Sequence, residues 1–251
     1  MKLNCDLGES FGSWSMGADN QVMPFIDQAN IACGFHAGDP LTMQNTLQLA
    51  KQHNVSIGAH PSYPDLVGFG RRSMQCSSEE IIALITYQIA AIDGMAKSLQ
   101  TDVEYVKPHG ALYNDMMKKT EIRNAILTAI SRYNISRRAS TTNSKPLKLM
   151  LLATTDIDQH REQAKKYHIE ILAEAFADRC YDDNGKLLSR DKKDAIHSKE
   201  QTLAQAKQLK ELGCVTSING KVIKLSVDSL CVHGDNIESI EAIAEIKAIT
   251  Y

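Results

Sequence analysis

The sequence predicts an α/β protein built as an irregular seven-stranded (β/α) barrel, and three observations lead there. Short apolar runs alternate with helical periodicity along the chain, the pattern of a parallel sheet covered by helices. Most runs end in a loop of small, polar and turn-forming residues, as they do where strands deliver side chains to one site at their carboxyl ends. The count is about seven strands in 251 residues, close to barrel length but one βα unit short of eight. Pattern alone leaves open whether the sheet closes or stays doubly wound.

Lys2 to Asp6 reads as the first strand and enters a Gly/Ser-rich loop, and Gln28 to Cys33 reads as the second. Asp39 and Pro40 open a helix to about Gln52, because Asp is a good N-cap and Pro suits the first helical position. Val55 to Ala59 is the third strand, followed by a loop with Pro61, Pro64, Gly68 and Gly70. Ser77 with Glu80 has capping-box spacing, and Ile81, Ile85, Ile89, Ile92 and Met95 recur behind it at helical spacing to about Leu99. Val103 to Lys107 is strand four, with helical patterns at Ala111 to Met117 and Glu121 to Tyr133. Ser136 to Pro146 is polar and of low complexity, and reads as a surface loop tolerant of insertion. Leu147 to Ala153 is strand five, Ile157 to Tyr167 a helix, and Ile169 to Ala173 strand six, with Glu174, Asp178 and Arg179 beyond it. Glu200 to Leu212 is helical, and Ser217 to Ile223 reads as a hairpin on Asn219-Gly220, a pair that fits a two-residue type I′ turn. Leu230 to Val232 is the last core strand, and Asp235 with Glu238 marks the cap of a final helix, Ile237 to Ile249.

With 43% hydrophobic and 23% charged residues the chain can bury a full core, and a single domain over 1–251 is expected. A formal charge of −2 supplies no footprint for nucleic acid or for an anionic membrane. The beginning of the chain has no apolar leader segment, and no apolar run approaches the roughly 18 residues of a membrane span. Six scattered cysteines form no CxxC pair, so the expected location is the reducing cytoplasm.

Four histidines share one context: His36 in NIACGFHAGD, His60 in VSIGAHPSYPD, His109 in YVKPHGALYN and His233 in SLCVHGD. One such histidine alone is more often structural, but four at equivalent junctions favour a cleft. His53, His160, His168 and His197 sit in polar stretches and read as surface residues. Asp6 and Glu9 end the first strand in acid, and Asp6 lacks the helix-capping role open to Asp39 and Asp235. A divalent metal held by Asp6, His60 and His109 is one reading, although no HExxH or HxxxH pair places two ligands on a helix face. Metal-free acid–base chemistry by a histidine or a carboxylate is the other. Lys107 either pairs with a core carboxylate such as Glu174 or holds a developing negative charge. GFGRR, Gly68 to Arg72, is neither a Walker A loop nor a dinucleotide fingerprint, but its amides with Arg71 and Arg72 could bind an anion.

Taken in order, NCDLGESFG, ANIACGFHAGDP, GAHPSYPDLVGFGRR, VKPHGALYN, AEAFADRCY and CVHGD resemble the family of 5-oxoprolinase A subunits, formerly labelled lactam-utilisation proteins, from Asn4 to about Ile246. The resemblance implies a barrel similar to that of glycoside hydrolases and carbohydrate deacetylases. It implies ATP-dependent opening of 5-oxoproline to L-glutamate, with the B and C subunits of 5-oxoprolinase as partners. Carried over by motif, Asp6, His60, Lys107 and His109 become the catalytic candidates. Glu9, His36, Asp39, Asp178, Arg179 and His233 become the substrate-binding ones, with Arg71 added from the GFGRR loop. The chain departs from the family pattern at Ser62, usually Gly, and at Arg190 to Ile196, where a Pro-Gly segment is typical. Since ATP is a co-substrate and no ATP motif is present, the partners are expected to phosphorylate while this chain opens the ring. A metal-dependent hydrolase or deacetylase working alone, and a non-catalytic binding subunit, are the competing expectations.

Overall fold

The computed structural model describes residues 1–140, 145–190, 192–233 and 237–250. Seven parallel strands close into a barrel: β1 (Lys2–Leu7), β2 (Gln28–Ala32), β3 (Ser56–His60), β4 (Val103–Val106), β5 (Lys148–Leu152), β6 (Ile171–Phe176) and β9 (Ser229–Cys231), with β9 pairing both β6 and β1. The antiparallel ribbon β7 (Cys214–Thr216) and β8 (Val222–Lys224) stands apart from it. The helices are α1 (Asp19–Val22), α2 (Pro40–Gln52), α3 (Ser78–Ser98), α4 (Gly110–Lys118), α5 (Thr120–Ser140), α6 (Ile157–Lys165), α7 (Lys199–Leu212) and α8 (Ile237–Thr250).

Period-two alternation explains why the sheet closes. On β1, Leu3, Cys5 and Leu7 join the hydrophobic cluster of the helices, while Asn4 and Asp6 take the opposite face and meet side chains of other strands across the barrel. The barrel interior is correspondingly polar. Asn4 donates to Ser229, Asn30 donates to Asn4 and Asp6, and the Tyr105 hydroxyl donates to Asn30. Gly58 is required on β3 because the Tyr105 ring fills the space its Cβ would occupy, 2.2 Å from the nearest ring atom.

Capping signals materialise where the sequence places them. Asp39 accepts from the Leu41 and Thr42 amides, and both halves of the Ser77/Glu80 box form. Ser198 with Gln201 makes a second box at the start of α7, one residue pair beyond those the sequence pattern singles out. Asp235 and the cap assigned to it lie outside the described residues.

Three expectations need correction. β6 runs on to Phe176, so Glu174 lies inside the strand and not beyond it. The stretch from Ser136 is not all loop, because α5 continues to Ser140 and buries Arg137 against Asp93 of α3. At the β7–β8 ribbon only Gly220 has positive φ, and Ser217 N donates to Lys221 O while Gly220 N donates to Ser217 O. That is a three-residue loop with a left-handed glycine in place of the two-residue type I′ turn, in which Asn219 would also need positive φ.

Candidate active site

A cavity of about 970 Å³ opens at the carboxyl end of the barrel. Asp6 of β1 and Glu9 after it, His60 of β3, Lys107 and His109 after β4, Arg179 after β6 and His233 after β9 all line it. It has two poles.

The first pole is a histidine–carboxylate cluster on a buried ion-pair network. Lys107 Nζ lies 2.9 Å from Asp6 Oδ1 and 3.0 Å from Glu174 Oε2, inside the barrel. Burial alone would lower the Lys107 ammonium, but Asp6, Cys231 and Glu174 hold it well above its ordinary value. Burial likewise would raise the Asp6 carboxyl, yet His60 and Lys107 keep it well below the usual range, so it is ionised. Lys107 thus takes the ion-pair role with Glu174 and still faces the cleft.

Above this network the imidazoles are fixed by backbone carbonyls. His60 Nδ1–H donates to Lys107 O at 2.7 Å, and His109 Nε2–H donates to Phe69 O at 2.9 Å. In the neutral rings this leaves lone pairs on His60 Nε2 and His109 Nδ1, which face each other at 2.9 Å. Asp6 Oδ2 is 3.3 Å from His60 Nε2, and Glu9 Oε1 is 3.6 Å from His109 Nδ1 and 3.1 Å from His36 Nε2. His36 stacks on His109 with centroids 3.7 Å apart, and His36 Nδ1 has no hydrogen-bond partner among the described residues. Burial, reinforced by the neighbouring histidines, pushes His36 and His109 well below the ordinary imidazole value, while burial raises the Glu9 carboxyl.

The GFGRR loop is the clamp on this cluster and not an anion nest. The Gly68 and Arg72 amides donate to the Asp65 carboxylate, Phe69 N to Leu66 O, Gly70 N to Asp65 O and Arg71 N to Gly68 O. Every amide of the loop is therefore spent internally, and Arg72 is paired to Asp65. Phe69 and Gly70 are both left-handed, at φ 53° and 63°, which turns the Phe69 carbonyl onto His109. A Cβ at Gly70 would stand 2.8 Å from His109 Cδ2 and 2.9 Å from His36 Cβ. Arg71 reaches the cavity and stacks over Phe69.

The second pole is His233 with Asp178 and two arginines. Asp178 Oδ2 accepts from His233 Nδ1 at 2.6 Å, and Arg190 Nη2 donates to His233 Nε2 at 2.8 Å, which fixes the ring as the Nδ1–H tautomer. Arg179 is held by the carbonyls of Ala195 and Leu188. Arg190 is a site residue that sequence reasoning missed. Its loop between β6 and α7 carries no periodicity, and the departure at Arg190 to Ile196 is the one pointer to it.

Three assignments change. Asp39 caps α2 and also accepts from Gly12 N, and it is not among the residues lining the cavity. The four potential ligand atoms found within 4.8 Å of one another belong to Glu9, His36, His60 and His109. Asp6, expected with His60 and His109 in a metal set, is outside that group and engaged by Lys107 and Asn30. His160, expected at the surface, is buried beside the cavity. Among the described residues no helix is long and apolar enough to cross a membrane.

Known proteins are similar to this chain over nearly its whole length. A crystallised lactam utilization protein from Thermus thermophilus is similar at TM-score 0.85 and 36% identity, covering 98% of this chain and 95% of that one. A 5-oxoprolinase A subunit of Vibrio cholerae is 48% identical over 249 residues, 99% of this chain and 96% of that protein. A 5-oxoprolinase A subunit of Pseudomonas aeruginosa is 48% identical over 247 residues, 98% and 94% respectively. The sequence profile of the LamB/YcsF family matches residues 1–250, and with near-complete coverage on every side the chain belongs to the LamB/YcsF family.

Proposed function

We propose that this chain is the ring-opening subunit of an ATP-dependent 5-oxoprolinase, a single catalytic domain over residues 1–251 that converts 5-oxo-L-proline to L-glutamate with the B and C subunits as partners. The observation that carries the reading is the full-length likeness to proteins named as 5-oxoprolinase A subunits, joined to a cleft whose two poles suit the two ends of that substrate. A lactam carbonyl is a poor electrophile, so coupling to ATP supplies the activation, with phosphorylation of the carbonyl oxygen giving an activated carbon. At the first pole, His109 lines the cleft and is neutral at physiological pH, so its Nδ1 lone pair, beside His60 Nε2, is the general base toward water. Ionised Asp6 beside His60 stabilises positive charge as the proton is taken. Lys107 offsets negative charge on the reacting carbonyl. At the second pole Arg190, oriented by His233 and Asp178, binds the ring carboxylate, with Arg179 beside Asp178, while Arg71 lines the cavity at the first pole.

The cavity is several times larger than a five-membered lactam, and Lys118, Lys166 and Lys186 also line it. That cationic side suits the phosphoryl group of an activated substrate or of ATP itself. The GFGRR loop, with its amides occupied, is not the phosphate cradle, which supports phosphorylation by the partners. The test is glutamate release from 5-oxoproline and ATP by this chain alone and with the B and C subunits added. Glutamate in the complete mixture, lost with His109→Ala or Asp6→Ala while the complex still assembles, is the expected result. No glutamate from the complete mixture of folded proteins would overturn the reading. The compact Glu9/His36/His60/His109 group favours one second reading, a metal-dependent hydrolase working alone on a carbohydrate amide. Acetate release from an N-acetylated oligosaccharide by the isolated chain would mark that case.

A further inference from the structure

We propose that Glu9, His36, His60 and His109 form a binding site for one divalent ion of zinc-like chemistry, with the backbone carbonyls of Lys107 and Phe69 as its outer partners. The inference stands on ligand geometry and not on the ring-opening reading; an ion there takes the His109 Nδ1 lone pair, so His109 serves as general base only in the metal-free protein.

Three features point the same way. First, the donors converge: their ligand atoms lie within 4.8 Å of one another. Donors about 2.0–2.1 Å from a tetrahedral ion stand about 3.4 Å apart, so small rotations bring in Glu9, His60 and His109, while His36, stacked parallel on His109, has to tilt out of that stack to join them. Second, the lone pairs on His60 Nε2 and His109 Nδ1 meet at 2.9 Å with carboxylate oxygens of Asp6 and Glu9 beside them. Acceptors facing acceptors repel unless a cation lies between them. Third, both rings are turned by hydrogen bonds from their far nitrogens to carbonyls, the outer arrangement by which metal-binding histidines are oriented. The second of these carbonyls is in place only because two successive left-handed residues, Phe69 and Gly70, bend the chain over the cluster.

The donor set also selects the ion. Three imidazoles and one carboxylate suit zinc, cobalt or ferrous iron, whereas magnesium and calcium prefer all-oxygen sites. Asp6 is already neutralised by Lys107, which leaves Glu9 as the carboxylate for the ion. Glu9, His60 and His109 all line the cavity, so the ion would stand at the edge of the cleft.

The experiment is titration of the full-length, chelator-stripped protein with Co²⁺, followed by visible absorption and calorimetry. One equivalent should bind with a visible d–d band and be displaced by Zn²⁺. His60→Asn and Glu9→Gln should each weaken binding by roughly 100-fold, and Gly70→Ala, which displaces the Phe69 carbonyl, by about 10–100-fold. His53→Gln and Cys76→Ser, at exposed and half-buried positions away from the cluster, should leave the band unchanged. If the cluster variants fail to fold by circular dichroism, X-ray absorption of the Co²⁺-loaded wild-type protein decides, with three imidazole nitrogens and one carboxylate oxygen expected. Absence of stoichiometric binding, a band that survives His60→Asn and Glu9→Gln unchanged, or a sulfur-containing shell would overturn the assignment. In the first case the two facing nitrogens share a proton instead. Glutamate formation is assayed separately, so failure of the metal site and failure of the ring-opening reading give different results.

Discussion

Lys107 shows how one side chain ties the site to the stability of the barrel. Its ammonium is buried between Asp6 and Glu174, which without it would face the barrel interior as uncompensated charges. Lys107→Met should therefore cost about 3–5 kcal/mol, the usual penalty for removing one partner of a buried pair. Adding Asp6→Asn and Glu174→Gln should restore most of that stability while activity stays lost. Urea unfolding of the single and triple variants checks this, and a Lys107→Met protein as stable as wild type would refute it. The same scale explains what can be read from residues alone. Acids and imidazoles flanked by small residues at strand ends are legible as cleft residues because nothing else in their surroundings needs them. Asp39 is over-assigned because a helix N-cap and a ligand contact call for the same residue type. His36 can be named, but its pairing with Glu9 cannot, since that depends on where the loops after two different strands meet.

At the scale of elements, the sequence pattern ends α5 near Tyr133, and the polar run after it resembles a loop. Its buried face in fact continues through Ile126, Ile130, Asn134 and Arg137, at helical spacing, with polar residues in place of aliphatic ones at the end. Asn134 is matched by the Leu147 backbone in both directions, and Arg137 donates to Val103 O while facing Asp93. A hydrophobicity pattern cannot register a buried face whose partners are polar, so the helix reads shorter than it is. The consequence is measurable. Arg137→Ala strands the Asp93 carboxylate between α3 and α5, although Lys97 and Tyr133 still contact it, and should destabilise the chain by about 2–4 kcal/mol. Because the pair is remote from the cavity lining, catalytic parameters of the folded fraction should be unchanged. A thermal melt shifted by less than a degree would place Arg137 among ordinary surface residues. The end of β6 is missed for a related reason: Glu174 reads as the end of an apolar run, yet in a barrel with a polar interior an inward glutamate is an ordinary strand residue once Lys107 answers it.

For the whole molecule, the fold class is legible because alternation of strands and helices is a property of the entire chain. Closure depends on β9 pairing with both β6 and β1, a long-range match that three residues cannot advertise. The site formed by that closure sets the pH response of the stripped protein. His36 and His109 are held neutral in the folded state, with folded pKa values below the ordinary 6.5. As pH falls through that ordinary value the unfolded chain takes up protons that the folded chain refuses, so stability is full above it and declines below it, by up to about 1.4 kcal/mol per pH unit for each ring. Glu9, whose carboxyl is raised, works in the opposite sense at more acid pH, because there the folded state binds its proton first. Asp6 and Asp178 are depressed, so their contribution is lost only below the ordinary carboxylate range. The expected profile in the presence of chelator is thus a fall in the urea midpoint beginning near about pH 6.5, well before carboxylates titrate. His109→Gln should reduce that slope only in part, since His36 and the burial-depressed His160 still respond. A midpoint that stays flat from about pH 7.5 to 5.5 would mean that the cluster already carries its proton when folded. The lone pairs on which both the base and the metal site depend would then be filled.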